Sequence, residues 1–237
     1  MKLTKIGSAT VVVGAALTLV LAGCSSSSDS ASGSSTSSSA PSSTSSAAAP
    51  STGELTPRSV DATGANVTIA DYIKQNNITE TPIKMGDTTA PTIDLPIPEG
   101  WTPAGDKTPD YAYAAIEYTG PDASSASYTP NFVALLSRLE GTVDPQKLID
   151  AASGEVKNLK DAEVLDEQTA TLSGYPAYEI AANYDLEGTK ALSAQKTVVI
   201  PGDGAVYILQ LNGTSDQAQS EILQTAAQSI DKATITQ

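Results

Sequence analysis

Asp185 and Glu187 stand two residues apart at the end of an alternating stretch. In that arrangement one carboxyl can protonate a leaving group while its neighbour activates water. Chance supplies the same spacing in a chain with 27 acidic residues, so the pair alone selects neither reading. Asp161, Glu163, Asp166 and Glu167 gather the hard oxygens a calcium ion favours, but without the loop spacing or turn glycine of an EF-hand. A solvated acidic face is the preferred reading of that group. Ser193 and Lys196 reproduce the Ser-x-x-Lys spacing of a serine nucleophile with a lysine base. They enter a predicted strand, where no helix turns both side chains onto one face. Gly202-Asp203-Gly204 reads as a hairpin loop, since no helix N-terminus follows it to hold a phosphate. Histidine is absent from all 237 residues, which excludes Ser-His-Asp and Cys-His catalysis, histidine-ligated zinc and histidine pH switching. The sequence assigns no catalytic residue, no metal site and no cofactor.

Aromatic residues offer a different chemistry. The chain has one Trp, one Phe and nine Tyr, and Trp101, Tyr111, Tyr113 and Tyr118 crowd around one predicted hairpin. Amphipathic rings of this kind line grooves for lipids, sugars or peptides, and they also pack ordinary sheets with their hydroxyls at the surface. These four are the candidate ligand-binding residues.

The single cysteine gives the clearest signal. Cys24 follows Lys2 and Lys5, an uncharged run from Gly7 to Ala22 and the small pair Ala22-Gly23. A charged start, an apolar run and small residues at the cut make residues 1–23 a secretory signal peptide. The run is about 16 residues, short for a hydrocarbon core ~30 Å thick. Leu21-Ala22-Gly23-Cys24 matches the bacterial lipobox, in which the thiol receives a diacylglycerol and the cut falls just before it. Two acyl chains hold a membrane stably where one does not. From Ser25 to about Gly53 the chain is nearly all Ser, Ala, Thr, Pro and Gly, a composition that cannot bury enough apolar surface to offset ordering. Residues 24–60 therefore read as a lipidated, flexible tether; as a coil, ~30 residues reach about 30 Å.

Residues 61–237 are left to form one globular domain without a thiol, so its stability rests on a packed core rather than on disulfides. A domain of this size buries roughly 70% of its unfolded surface. The full chain has 13 basic and 27 acidic residues; without Lys2 and Lys5 that is 11 against 27, a net charge of −16. Such acidity excludes electrostatic binding of nucleic acid and repels bare anionic lipid surfaces.

The elements that must position these residues follow from pattern. "VTIADYIKQNN" predicts a short helix capped by Thr68 with Asp71. "TIDLPIPEGW" predicts an edge strand, residues 111–118 a second strand, and 131–139 a central strand covered on both faces. Asp144 and Pro145 open a predicted helix that runs to Leu159, weakened at Gly154. Four strands follow within 164–172, 174–186, 194–200 and 205–211, then a final helix from Ser215 to about Ala233. Strands arriving as hairpins between helices predict an α+β fold, a largely antiparallel sheet sandwiched by helices.

"TIADYIKQNNITETPIKMGDTTAPTIDLPIPEGW", "GYPAYEIAANYDLEGTK" and "VVIPGDGAVYILQLNGT" resemble the LpqN/LpqT family of mycobacterial and related actinobacterial lipoproteins, from about Asn66 to the C-terminus. The resemblance implies a PsbP-like fold and an exported envelope lipoprotein, lipid-anchored to the outer face of the cytoplasmic membrane. It also implies a link to the mycolic-acid-containing envelope and its lipid-export machinery. It carries no catalytic residue with it. The expected function is a non-enzymatic binding or adaptor module that holds an envelope lipid or docks onto a transporter's extracytoplasmic domain. The alternative is a carboxylate-dependent hydrolase or transferase acting on envelope glycolipids.

Overall fold

The computed structural model describes residues 64–237; the signal segment 1–23, Cys24 and the tether to residue 60 lie outside the described residues. Helix α1 (Ile69–Gln75) starts at the expected cap, where Thr68 Oγ1 accepts from the Asp71 amide at 3.1 Å and the Asp71 carboxylate accepts from the Thr68 amide at 2.9 Å. Strands β1 (Thr79–Ile83), β2 (Thr92–Asp94), β3 (Trp101–Pro103), β4 (Ala114–Tyr118) and β5 (Asn131–Glu140) follow. Helices α2 (Pro145–Ala151) and α3 (Gly154–Lys157) lead to four long strands, β6 (Glu163–Leu172), β7 (Tyr175–Leu186), β8 (Thr189–Pro201) and β9 (Val206–Asp216). Helix α4 (Ser220–Ile230) and strand β10 (Thr234–Thr236) close the chain.

The main sheet is antiparallel throughout, in the order β3-β4-β5-β9-β8-β7-β6. Strand β5 is long enough to take two partners on one side: β4 pairs with Asn131–Ala134 and β1 with Leu136–Glu140. Strands β2 and β10 form a separate two-stranded ribbon. The fold is α+β, with helices packed on a largely antiparallel sheet.

Alternation along the strands builds two cores. On one face, Phe132, Ala134 and Leu136 of β5, Leu209 and Leu211 of β9 and Val198 and Ile200 of β8 pack against Leu223, Ala226 and Ile230 of α4. On the other, Leu139, Val199 and Ile208 pack against Ile69 and Ile73 of α1 and Leu148 and Ile149 of α2. Val156 of α3 covers Ile180 and Ala182 of β7.

Some elements depart from the sequence pattern. The helix expected from Pro145 to Leu159 breaks into α2 and α3 because the carbonyl of Val67 crosses it: a Cβ at residue 154 would lie 2.0 Å from that oxygen. Gly154 is the residue that lets the two backbones meet. The last helix begins later than expected, since Ser215 and Asp216 complete β9. Asp216 then caps the short turn Gln217–Gln219, accepting from the Gln219 amide at 2.9 Å, before α4 starts. Strand β1, unforeseen in the sequence, is edge-paired and solvent-facing over Thr79–Pro82.

Candidate functional site

The helices cover the α1–α2 face unevenly. Helix α2 ends over β8, where the Ala152 carbonyl accepts from Gln195 Nε2 at 3.3 Å, and Glu155 of α3 accepts from Gln210 Nε2 at 3.3 Å. Beyond that line Val133 and Leu135 of β5 and Gln210 and Asn212 of β9 stay half-buried in the middle of the sheet. Register places them as neighbours on one face, Val133 opposite Asn212 and Leu135 opposite Gln210. The adjoining strand adds Ser193, Gln195 and Thr197, which oppose Thr214, Asn212 and Gln210. The partly exposed patch is Val133, Leu135, Gln210 and Asn212, with Ser193, Gln195 and Thr197 buried beside it.

Its far rim is aromatic and charged. Asn131 Nδ2 donates to the Tyr128 hydroxyl and to the Thr129 carbonyl, both at 3.0 Å. Tyr111 keeps 42% of its surface, and its phenol is raised above the usual range, first by partial burial and then by Tyr128. Ala104 and Ala115 pack on Val133, beside the Lys107–Glu117 ion pair at 2.8 Å. Ser193 Oγ is wholly enclosed and makes no hydrogen bond among the described residues. A separate cavity of about 510 Å³ opens between α1 and α2, lined by polar side chains including Gln75, Asn76, Asp144 and Lys147.

The four aromatic candidates separate. Tyr111 remains exposed near the rim, whereas Trp101, Tyr113 and Tyr118 are buried on the α4 face. The Trp101 ring lies 5.8 Å from Tyr118 and 5.6 Å from Phe132, both tilted, as core aromatics prefer. Their hydroxyls are engaged inside the fold: Tyr118 donates to the Pro121 carbonyl at 2.7 Å, and Tyr113 accepts from the Ile93 amide at 3.3 Å.

The carboxylate candidates are spoken for locally. Asp185 Oδ1 accepts from Lys160 Nζ at 2.8 Å and from the Gly188 amide at 2.9 Å, which hold its carboxyl below the usual range. Glu187 is exposed in the β7–β8 turn at φ 52°. Glu167 takes Lys157 at 2.7 Å and the Tyr178 hydroxyl at 2.8 Å, which together keep it ionised below the usual carboxylate range. Asp161, Glu163 and Asp166 lie strung along the chain before and within β6, and no group of three such side chains among the described residues is arranged to hold a metal. Ser193 and Lys196, three apart on a strand, point to opposite faces. Lys196 is buried on the α4 side, 2.7 Å from Glu179 Oε1 and in contact with Asp231 at the end of α4.

The half-covered surface itself went unread in the sequence. Its signal is present in β8 and β9: Ser193, Gln195 and Thr197 alternate with apolar residues, and so do Gln210 and Asn212 with Leu209 and Leu211. Polar residues at every second position of a strand buried on both sides mark a face that serves more than packing.

Known proteins share this domain. The family model described as probable lipoprotein LpqN matches residues 65–236. Lipoprotein LpqN of Mycobacterium tuberculosis is 43% identical over 176 residues, spanning 73% of this chain and 75% of that protein. Lipoprotein LpqT of Mycobacterium leprae is 26% identical over 155 residues, 63% of this chain and 66% of its own. The crystal structure of LpqN, involved in cell envelope biogenesis of Mycobacterium tuberculosis, superimposes with a TM-score of 0.68 at 43% identity, covering 73% of this chain and all of that one. The chain belongs to the LpqN family of lipoproteins.

Proposed function

We propose that this protein is a non-enzymatic binding module of the cell envelope, tethered by a lipidated Cys24, that takes an envelope amphiphile on the half-covered face of its sheet. The observation that carries the reading is the placement of Val133 and Leu135, half-buried at the centre of an otherwise packed sheet and flanked by the half-buried amides Gln210 and Asn212. An apolar floor with a few convergent polar groups suits a ligand with one apolar and one polar end. The relative involved in envelope biogenesis supports the same setting. Asp185 and Glu167 are held by Lys160 and Lys157, so Asp185 is taken up in an ion pair beside an exposed Glu187, which favours binding over catalysis.

Native mass spectrometry of the chain carrying Cys24→Ser, incubated with an extract of envelope lipids, tests this. A discrete adduct that disappears in Leu135→Asp supports the reading. An adduct unchanged by that substitution, or none at any lipid concentration, removes it and leaves docking onto a transporter's extracytoplasmic domain. Anchoring is tested separately: Cys24→Ala releases the protein from the membrane fraction, and retention of that variant at the membrane would sink the lipobox reading.

A further inference from the structure

The two ends of the main sheet are not equivalent. Strand β3 offers three residues and finishes at Pro103, which has no amide hydrogen to donate, so that end is blunt. Strand β6 runs for ten residues, Glu163 to Leu172, without proline, glycine or lysine. Its inner edge pairs with β7, and no described strand pairs with its outer edge. Lysine is a common guard of such edges against unwanted pairing. Here carboxylates stand instead, and Glu163 and Asp166 form no ion pair among the described residues. A register shift between Val164 and Asp166 leaves Val164 and Leu165 39% and 36% exposed.

We propose that the outer edge of β6 is a docking edge, on which an extended basic segment of a partner protein adds as a further strand. An added strand gains main-chain hydrogen bonds from the edge and specificity from the side chains alongside it. On the α4 face the edge presents Glu163 and, past the register shift, Asp166, Gln168 and then Ala170, which packs against the core. That order calls for a basic residue and an apolar residue four positions apart in the incoming segment. Charge selects the occupant. A second copy brings the same net charge of −14, and residues 24–63 of this chain carry a single cation, Arg58.

Amide NMR of the full chain with Cys24→Ser tests the edge directly. The probe is an acetylated nine-residue peptide of threonine and serine that carries one lysine and, four positions on, one valine; its control replaces the lysine with glutamate. The lysine peptide is expected to shift the amides of residues 164–171 and to slow their hydrogen exchange at least tenfold, and the glutamate peptide to do neither. Glu163→Lys with Asp166→Lys, the first at an exposed and the second at a partly exposed position, is expected to weaken the lysine peptide at least tenfold. Absence of saturable binding, equal binding of both peptides, shifts confined to other elements, or full affinity in the charge-reversed variant each overturns the proposal. Light scattering supplies the remaining outcome: a concentration-dependent dimer that loses its β6 exchange protection on charge reversal gives the edge to a second copy instead.

Discussion

Strand β8 is buried along both faces, yet the two faces ask different things of it. Toward α4 it presents Leu192, Ala194, Val198 and Ile200, a continuous apolar surface interrupted once, by Lys196. Toward α1–α2 it presents Ser193, Gln195 and Thr197 before reaching Val199. A sheet covered on both sides for stability alone reads as near-continuous Val, Ile and Leu. Buried hydroxyls and amides cost free energy unless they are hydrogen-bonded. The contrast separates a face built to hold the fold from one that keeps polar groups inside for another use. The single ionic interruption of the stable face is itself satisfied, while each face keeps one buried hydroxyl without a partner among the described residues, Ser193 Oγ on the α1–α2 side and Ser215 Oγ on the α4 side.

The largest effect expected on either side comes from Trp101, fully within the α4-face core. Trp101→Ala removes the ring that packs on Tyr118 and Phe132, at a cost of about 3–5 kcal/mol in urea unfolding. If the variant kept full stability and lost ligand instead, the division between the faces would be reversed.

Lys196 comes next. It bridges Glu179 and Asp231, and Gln168 Nε2 donates to the second oxygen of Glu179 at 3.0 Å. Lys196→Met leaves a buried carboxylate uncompensated and is expected to cost about 3 kcal/mol at pH 7. Its pH dependence carries the sign. Burial works to raise the Glu179 carboxyl, but the hydrogen bond and charge of Lys196, with Gln168, outweigh it and hold the group below its ordinary value. Its contribution is therefore complete above the unfolded carboxylate value of about 4.3 and is lost as pH falls through the lower folded value. In Lys196→Met only burial and the amide remain, so acidification should restore part of the loss. Melting temperatures from pH 7 to pH 3 decide it, and parallel curves for the two proteins would contradict the lock.

These contrasts were only partly legible in the sequence. Thr68 and Asp71 announced α1 because a capping box is local chemistry, complete within four residues. The Pro201–Gly204 loop was equally readable, with Gly204 at φ 72° between β8 and β9. Whether Tyr113 and Tyr118 line a groove or pack the sheet stayed open, because a sequence shows ring type and spacing, not which face a ring occupies. That face was decided by register, Trp101 opposite Tyr118 and Ile116 opposite Phe132. The break at Gly154 depended on the Val67 carbonyl, brought there from 87 residues earlier by the packing of α1. The polar alternation of β9 marks the half-covered surface, but its extent depended on where α2 stops, which lies outside β5 and β9.

A smaller effect is expected where helices do not cover the sheet. Leu135 is only partly buried, so Leu135→Asp should cost about 2 kcal/mol, below Trp101→Ala, while abolishing amphiphile capture. Measuring both quantities on the same protein sharpens the division, because a core residue loses stability first and a ligand contact loses binding first. Collapse of the fold in Leu135→Asp would mean that this half of the face is core as well.

The smallest effect in free energy lies on the same α1–α2 side, at the Lys157–Glu167–Tyr178 cluster. Its ion pair is about one-third exposed at both partners, so solvent screening leaves about 0.5 kcal/mol or less for Glu167→Gln. The same substitution should nonetheless move a titration. The Tyr178 phenol is pushed up to about 12, first by burial, then by its hydrogen bond to Glu167 and by that carboxylate's charge. Removing the charge leaves burial and a neutral hydrogen bond, opposed by the hydrogen bond with Ser153, and Tyr178 should titrate closer to the ordinary phenol value of about 10. NMR of the labelled tyrosine Cζ from pH 9 to 12 separates it from the other eight tyrosines. An unchanged Tyr178 would show that burial does all the lifting. A lowered phenol with unchanged stability would show the reverse of Lys196: a charge on the open face tunes its neighbour's chemistry, while a charge beneath α4 holds the fold.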